Sequence, residues 1–273
     1  MTSWTSLHKA GTNFMAAVRE RPEGVLLAFD FDGTLAPIVP DPEDSRLHER
    51  SATALGVLAG RVATLAIITG RNVATVRRLA RLDDRPDLVG LIVLGGYGAE
   101  RWVVGSPDPG PETRPAAVEA ALPRVRVEIQ SCGVDGVTLE DKGRALGIHT
   151  RQSADPELAY GRLLPGLERI AADLGLTLEP GRSVIELRSS DVTKGDAIRA
   201  LVAESGAAVA AFCGDDLGDL AAFDALVELR STGIETCRVV SSSPEQESMD
   251  AHADILADGP DGIADWLTVL ARG

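Results

Sequence analysis

The feature that most constrains the fold is a series of short apolar runs, several of which end in polar residues flanked by glycine. The first run, at residues 25–29, reads VLLAF and is followed by Asp30 and Asp32. A continuous apolar run of about 4–8 residues is typical of a strand that is buried on both faces of a parallel sheet. Comparable runs occur at residues 62–70, 91–96 and 207–213.

Helical patterns fill the intervals between these runs. In residues 73–80 the apolar side chains recur at helical spacing, and Asn72 can cap this helix. Further elements are predicted as helices at residues 49–60, 194–204, 219–230 and 262–271 and as a strand at 237–241. Because strands that alternate with helices need crossover connections, the sequence predicts an α/β fold with a mainly parallel sheet.

Residues 104–185 interrupt this rhythm. A loop rich in proline and glycine is followed by helices at 116–130 and 156–174 and by strands at 136–141, 144–152 and 176–181. Polar residues break up these strands, as expected for a sheet with one face in water. We therefore predict a discontinuous core of residues 1–103 and 186–273 that is interrupted by a smaller α+β unit.

Charge and composition disfavour several classes of protein. The 27 basic residues are outnumbered by 41 acidic ones, and the net charge of −14 disfavours binding to nucleic acid or to an acidic membrane surface. The N-terminus lacks the pattern of a signal peptide, and no apolar run reaches about 18 residues. The three cysteines (Cys132, Cys213 and Cys237) lack metal-ligand spacing, which suits a reducing compartment. We therefore expect a cytoplasmic protein with no membrane segment.

Polar clusters follow three of the predicted strands. They comprise residues 30–34 (DFDGT), residues 69–71 (TGR), and the pair Asp215 and Asp216 with Asp219. The carboxyl ends of parallel strands meet at one edge of the sheet, where ligands bind. Carboxylates that converge there repel one another by about 4 kcal/mol per pair at ~4 Å and an effective dielectric constant near ~20. Mg²⁺ together with a substrate phosphate suits such a site.

Each of these motifs also has an ordinary structural interpretation. Two aspartates separated by one residue occur in helix caps, turns and calcium-binding loops. Residues 69–71 could form a strand-to-helix turn, GDDLGD an acidic loop, and Lys194 a solvated surface residue. Their joint occurrence in this order favours a functional site.

Together, DFDGT, the threonine at a strand end, the later lysine and GDDxxD resemble the haloacid dehalogenase superfamily of phosphatases. The resemblance implies a Rossmann-like core in which Asp30 is the nucleophile and forms an aspartyl phosphate. It implies that Asp32 protonates the leaving sugar oxygen and then activates water. It also implies that Thr69 and Lys194 hold the phosphate oxygens.

The same resemblance implies a magnesium site. Its ligands would be the carboxylates of Asp30 and Asp215 and the backbone carbonyl of Asp32, with Asp219 outside or at the edge of the first shell. Mg²⁺ and Lys194 would make the pocket locally positive, although the protein as a whole is acidic.

Three further segments, at residues 94–100, 139–152 and 181–195, resemble the trehalose-phosphatase family. The α+β unit then lies between the second motif (residues 69–71, with Thr69) and the third motif (Lys194), where this superfamily places its larger type of cap. The resemblance implies substrate contacts by eight residues: Gly33, Glu140, Lys142, His149, Arg151, Arg182, Glu186 and Arg188. Charged donors and acceptors can recognise the hydroxyls of a disaccharide, but such residues also occur in surface ion pairs or in water.

This resemblance implies Mg²⁺-dependent hydrolysis of trehalose 6-phosphate to trehalose and phosphate, the last step of trehalose biosynthesis, with a trehalose-phosphate synthase in the same pathway. We expect a monomer whose partner is this small sugar phosphate. Two departures from the family pattern occur: Tyr97 replaces a histidine found in many relatives, and Gly218 and Leu220 replace the usual threonine and glutamate. Neither departure touches the inferred nucleophile or acid.

Three other functions remain compatible with the motifs. The first is a phosphatase for another sugar phosphate, such as that of glucosylglycerol, mannosylglycerate or sucrose. The second is a phosphomutase, which would keep its aspartyl phosphate away from water. The third is a non-catalytic scaffold that binds phosphosugars, although a pure binder needs no nucleophile and acid together.

Overall fold

The chain folds around two separate sheets. The computed structural model describes residues 3–108, 110, 113–181, 183–243 and 247–272. One compact unit comprises Met1–Pro107 and Val192–Gly273, and a second comprises Asp108–Asp191. The sequence analysis put the boundaries of the insertion at residues 104 and 185, a few residues before those of the second unit.

The first unit contains an eight-stranded sheet with the order β1-β12-β11-β10-β2-β3-β4-β5. These strands are β1 (Trp4–Ser6), β2 (Val25–Phe29), β3 (Thr64–Ile68), β4 (Ile92–Gly95), β5 (Glu100–Val103), β10 (Val209–Gly214), β11 (Glu235–Ser242) and β12 (Ile255–Asp258). The six inner strands run parallel, and the edge strands β1 and β5 run antiparallel to their neighbours. The prediction of an α/β fold with a mainly parallel sheet is confirmed.

Helices cover both faces of this sheet. They are α1 (Lys9–Glu20), α2 (Glu49–Ala59), α3 (Val73–Leu79), α6 (Lys194–Ser205), α7 (Leu220–Ser231) and α8 (Gly259–Arg272). Alternate residues of β2 point to opposite faces: Leu27 packs in the core with α1, α2, α3 and α8, whereas Leu26 packs in the core with α6 and α7. Because both faces are buried, the strand is a continuous apolar run rather than an alternating one.

The second unit is an antiparallel sheet with two helices on one face. Its strands, in the order β6-β7-β9-β8, are β6 (Thr138–Asp141), β7 (Ala145–His149), β8 (Thr177–Gly181) and β9 (Val184–Arg188). Its helices are α4 (Ala116–Ser131) and α5 (Pro156–Leu174). Ile148 and Leu187 lie in the apolar core that these helices share with the sheet, so the intervening strand residues point to the other face.

Several elements differ from the sequence-based expectation. Strands β1, β5, β9 and β12 were not predicted, because none of these short segments is a continuous apolar run. Residues 186–188 were assigned to the core, but β9 pairs with β7 along its whole length, from Val184 to Arg188. None of the helices in the described part of the chain is long and apolar enough to cross a membrane.

A buried carboxylate, that of Asp254, links the segment before β12 to α7 and β11. Asp254 accepts hydrogen bonds from Arg230 Nη2 at 2.9 Å and from the backbone N–H of Arg238 at 3.0 Å. Burial alone would raise the pKa of Asp254, but the hydrogen bonds from Arg238 and Arg230 hold that pKa below its ordinary value. The ionised form is therefore favoured by folding.

We predict that Asp254→Asn lowers the free energy of unfolding by about 1.5–3 kcal/mol at neutral pH, because charged hydrogen bonds are lost. A carboxyl whose pKa is lowered by folding stabilises the protein above its unfolded pKa of about 3.9, and this stabilisation is lost as the pH falls through the folded value. The difference in the free energy of unfolding between the native chain and the variant, measured by urea unfolding, should therefore become smaller below about pH 4. Asp258→Asn, at an exposed position of β12, is the control. A gap of the same size at both pH values would contradict the assignment.

Candidate active site

The first carboxylate of the site follows directly from the end of β2. The backbone N–H of Asp30 donates to the carbonyl of Cys213 on β10 at 2.8 Å, which extends the parallel pairing by one residue. The chain then turns sharply, and both Leu35 and Ala36 donate backbone hydrogen bonds to the carbonyl of Phe31. The Asp30 side chain is thus fixed at the carboxyl edge of the sheet, where it is buried.

Gly33 lets the loop after β10 approach this turn. Its φ is +74°, and a Cβ placed on it would lie 2.2 Å from Oδ2 of Asp215. Only glycine suits both the conformation and the contact. The hydroxyl of Thr34 also donates to Oδ1 of Asp215 at 3.3 Å, and that of Ser241 donates to the carbonyl of Gly33 at 2.6 Å. The structure thus gives Gly33 a clear packing role at the site.

A buried lysine links two of the carboxylates. Lys194 opens α6, whose N-terminus is held by a capping box between Thr193 and Asp196. Its Nζ lies 2.7 Å from Oδ1 of Asp30 and 2.6 Å from Oδ1 of Asp219. The lysine side chain is 3% exposed and that of Asp219 is fully buried. Lys194 is therefore not the solvated surface residue of the ordinary interpretation.

Asp219 has protein partners for both of its carboxylate oxygens. While Oδ1 faces Lys194, Oδ2 accepts hydrogen bonds from the backbone N–H groups of Asp215 at 2.9 Å and Asp216 at 3.2 Å. These bonds fix the loop after β10. They also fix the position of the lysine ammonium group.

The site holds more negative than positive charge. Asp30, Asp215 and Asp219 each offer an oxygen within 4.8 Å of the others, a spacing that could hold a metal ion. Burial, together with repulsion from neighbouring carboxylates, raises the pKa of Asp30 and of Asp215 well above its ordinary value. Burial alone would lower the pKa of Lys194, but attraction to Asp219 and Asp30 raises it well above its ordinary value.

Asp32 lies outside this cluster and is bound by an arginine. Arg71 Nε donates to Oδ2 of Asp32 at 2.5 Å, and Arg71 Nη2 donates to Oδ1 at 2.8 Å. The hydroxyl of Ser45 donates to Oδ1 at 3.1 Å. The sequence analysis included Arg71 in the motif at residues 69–71 but assigned it no role. It did not identify Ser45, because Ser45 belongs to no recognised motif.

Thr69 lies at the end of β3, next to the same edge of the sheet. Its side chain is buried, and its Oγ1 accepts a hydrogen bond from the backbone N–H of Arg71 at 3.2 Å. Its carbonyl accepts a hydrogen bond from the backbone N–H of Tyr97 at 2.8 Å. Tyr97 has a φ of +63°, and a Cβ on Gly70 would lie 2.8 Å from its phenol ring. Tyr97 thus packs on the second motif.

The second unit carries a row of charges on the face away from its helices. Glu140, Gly147, Glu186 and Glu179 are direct neighbours across the four strands, so their side chains share one face. Gly147 lies between Glu140 and Glu186 in this row, and a Cβ on it would lie 3.1 Å from Nε2 of His149 and 3.5 Å from Oε2 of Glu140. We refer to Glu140, Glu179 and Glu186 as the carboxylate row.

Basic side chains pair with this row. Lys142 Nζ lies 2.9 Å from Oε1 of Glu186 and 3.8 Å from Oε2 of Glu140. His149 Nε2 lies 2.9 Å from Oε2 of Glu140, and Arg188 Nη1 lies 3.4 Å from Oε2 of Glu179.

Five of the substrate residues implied by the sequence thus lie together on this face: Glu140, Lys142, His149, Glu186 and Arg188. Arg151 lies in the turn after β7, and Arg182 lies outside the described residues.

Comparison with known protein families identifies the lineage. The family model for trehalose-phosphatase matches residues 28–96 and 125–254. These ranges include most of the second unit and all the polar residues at the strand ends of the first unit, which we call the strand-end cluster (residues 30–34, 69–71, 215, 216 and 219).

Curated relatives match most of this chain. An uncharacterized glycosyl hydrolase of Mycobacterium tuberculosis is 33% identical over 256 residues, which cover 89% of this chain and 18% of that protein. A trehalose-phosphate phosphatase of Mycolicibacterium paratuberculosis is 31% identical, with coverage of 72% and 50%. The trehalose-6-phosphate phosphatase of Escherichia coli is 30% identical, with coverage of 71% of each chain. The chain therefore spans half or less of the length of the first two relatives.

Solved structures share the fold. The C-terminal domain of a Candida albicans trehalose-6-phosphate phosphatase has a TM-score of 0.72 at 20% identity, with 98% of each chain covered. That of a C. albicans trehalose synthase regulatory protein has a TM-score of 0.68 at 12% identity, covering 95% of this chain and 97% of the other. A haloacid dehalogenase-like hydrolase of Bacteroides thetaiotaomicron has a TM-score of 0.59 at 15% identity, covering 89% and 98%.

These likenesses confirm the haloacid dehalogenase-like fold. The family model covers both units of the chain and extends through the strand-end cluster. On this evidence the chain belongs to the trehalose-phosphatase family.

Proposed function

We propose that this protein is a Mg²⁺-dependent phosphatase that hydrolyses trehalose 6-phosphate to trehalose and phosphate, the last step of trehalose biosynthesis. The observation that carries the proposal is the buried cluster of Asp30, Asp215 and Asp219 around Lys194, at the edge of the sheet where ligands bind. Family membership and relatives that are named trehalose-phosphate phosphatases support the choice of substrate.

The carboxylate cluster fits a divalent cation. All the candidate ligands are oxygens, which Mg²⁺ prefers. Burial, and after it repulsion between the carboxylates, raises the pKa of Asp30 and of Asp215, and a bound cation would favour their ionised forms. We propose that Asp30, Asp215 and the backbone carbonyl of Asp32 hold the ion. Asp219 would orient Lys194 and the loop, because both of its oxygens already have protein partners. When bound, Mg²⁺ would offset charge on the phosphate oxygens.

The side chains of the first unit can then divide the reaction into two steps. In the first, a carboxylate oxygen of Asp30 attacks phosphorus, the bond from phosphorus to the sugar oxygen breaks, and Asp32 donates its proton to that oxygen. In the second, Asp32 accepts a proton from the water that attacks phosphorus, which releases phosphate and regenerates Asp30. Lys194 and Thr69 would donate hydrogen bonds to the phosphate oxygens, which stabilises the transferring group.

The second unit would act as a cap that recognises the sugar. We propose that the substrate hydroxyls bind Glu140, Lys142, His149, Arg151, Arg182, Glu186 and Arg188, and that Gly33 in the core also contributes. The carboxylate row with its paired basic side chains offers acceptors and donors on a single face, as a disaccharide requires. The first unit would thus be the catalytic core and the second unit would determine specificity.

The cellular setting is part of the proposal. The three cysteines are free and buried, which suits a reducing cytoplasm. The net charge of −14 disfavours nucleic acid and acidic membranes as partners. We propose a cytoplasmic monomer whose substrate is supplied by a trehalose-phosphate synthase.

We predict that, among sugar phosphates, the purified protein releases phosphate fastest from trehalose 6-phosphate. The panel for a phosphate-release assay includes the phosphates of sucrose, glucosylglycerol, mannosylglycerate and glucose. Activity should fall to background with excess chelator and return when Mg²⁺ is added, because the carboxylate cluster needs a cation to accept a phosphate.

Four outcomes would contradict this function. Full turnover in metal-free protein would exclude the proposed role of the cluster, and faster release from another sugar phosphate would reassign the substrate. Isomerisation of a sugar phosphate that depends on a bisphosphorylated activator would indicate a phosphomutase. Tight binding of the sugar phosphate with no release of phosphate would indicate a scaffold.

We predict that Lys142→Ala lowers kcat/KM for trehalose 6-phosphate by about ten- to a hundred-fold, the equivalent of one lost charged hydrogen bond of about 1.5–3 kcal/mol. The same variant should keep most of its slow turnover of p-nitrophenyl phosphate, because that substrate needs only the core residues. Steady-state kinetics with both substrates measure the difference.

The matched control for this variant is Arg124→Ala. Arg124 pairs with Asp173 between the two helices of the same unit, and these helices cover the face of the sheet opposite to the carboxylate row. Arg124→Ala should leave the activities on trehalose 6-phosphate and on p-nitrophenyl phosphate unchanged. Equal losses on both substrates for Lys142→Ala would point to unfolding or to a role in the chemistry, and unchanged kinetics would remove Lys142 from the substrate site.

A further inference from the structure

We propose that Arg71 is a positioning residue that fixes the carboxylate of Asp32 in the orientation in which it exchanges protons with the leaving oxygen and with water. This inference rests on the proposed phosphatase function. It concerns a residue that does not touch the reacting phosphate in the mechanism above and acts through Asp32.

The geometry of the contact carries the proposal. Two nitrogens of one guanidinium bond the two oxygens of one carboxylate, Nε to Oδ2 at 2.5 Å and Nη2 to Oδ1 at 2.8 Å. This bidentate arrangement fixes both the direction and the plane of the carboxylate, which a single ammonium cannot do. The Arg71 side chain is 15% exposed, whereas that of Asp32 is 34% exposed. The arginine is thus the more deeply buried partner.

The arginine is itself held at both ends. Its backbone N–H donates to Oγ1 of Thr69 at 3.2 Å, and its carbonyl accepts a hydrogen bond from the backbone N–H of Gly96 at 2.9 Å. Its Nη2 also donates to the carbonyl of Pro42 at 3.0 Å. The guanidinium therefore has a fixed position between the turn after β4 and the segment at residues 37–46.

The segment at residues 37–46 also contacts Asp32 directly, through Ser45. Pro42–Asp44 forms a turn of 3-10 helix, and the next residue, Ser45, is 1% exposed. Its hydroxyl donates to Oδ1 of Asp32 at 3.1 Å. Three donor atoms from two separate segments thus converge on one carboxylate, which distinguishes the contact from an ordinary surface ion pair.

The orientation of the Asp32 carboxylate determines whether it can transfer a proton. A general acid or base has to lie within about 2.6–3.2 Å of the atom with which it exchanges the proton. The Asp32 carboxylate lies outside the cluster around Lys194, so that lysine does not orient it. Without Arg71, the partly exposed side chain can occupy other rotamers, and a smaller fraction of encounters is productive.

The test measures how the rate depends on the leaving group. For Arg71→Met, we predict a loss that grows along a series of substituted phenyl phosphates as the leaving phenol becomes less acidic. The loss should approach the ~10²- to 10⁴-fold of general acid catalysis for the poorest leaving group and should be much smaller for p-nitrophenyl phosphate. Arg71→Lys should restore part of the activity, because one charged donor remains.

Two further variants separate positioning from folding. Arg78→Met removes an arginine that pairs with Glu43 on the same segment without reaching Asp32, so its dependence on the leaving group should match that of the native protein. In Asp32→Asn combined with Arg71→Met, the second change should add little to the first, because both act on one function.

The outcomes distinguish this inference from the proposed function. A native protein that hydrolyses no phosphomonoester would refute the proposed function itself. An active native protein whose Arg71→Met variant loses the same factor on every leaving group, or adds its full loss to that of Asp32→Asn, would show a merely structural arginine. A rate that rises in Arg71→Met would show that Arg71 restrains Asp32 instead of positioning it for reaction.

Discussion

The structure of the candidate site depends on the buried contacts of Lys194 with Asp30 and Asp219, at 2.7 and 2.6 Å. Burying an ion is costly, so charges that leave water have to be paired and hydrogen-bonded. One ammonium faces a cluster that also includes Asp215, and the cluster therefore retains excess negative charge. A site of this kind favours a cation, and the cation together with Lys194 favours a phosphate. The capping box that begins α6 and the backbone bonds to Asp219 hold these charges in place.

The convergence of these charges could be predicted from sequence because it follows from topology. Parallel strands end at a common edge, so the residues that follow β2 and β10 had to meet there. The pairing of Arg71 with Asp32 could not be predicted in the same way. It depends on how the segment at residues 37–46 folds back over the site, and no periodic pattern encodes that path. Strand β5 was missed for a related reason: at Glu100–Val103 it is short, lies at the edge and has mixed polarity.

The second unit shows the same division between pattern and geometry. Both of its helices and three of its four strands could be predicted from their alternation, whereas the carboxylate row depends on strand register. Glu140, Glu186 and Glu179 share a face only because Glu140 pairs with Gly147, which in turn pairs with Glu186. A shift of one residue would turn a strand's side chains to the opposite face. The absence of a side chain at Gly147 gives Nε2 of His149 room to reach Oε2 of Glu140, because a Cβ there would lie 3.1 Å from that nitrogen.

The most direct test of the account is to trap the covalent intermediate. Protein mixed with trehalose 6-phosphate and Mg²⁺ is quenched in acid during turnover, and mass spectrometry locates any phosphoryl group. The account predicts one phosphoryl group on Asp30, which is absent from Asp30→Asn. Rapid turnover of native protein with no covalent phosphate, or with the phosphoryl group on another residue, would contradict the central claim that Asp30 is the nucleophile.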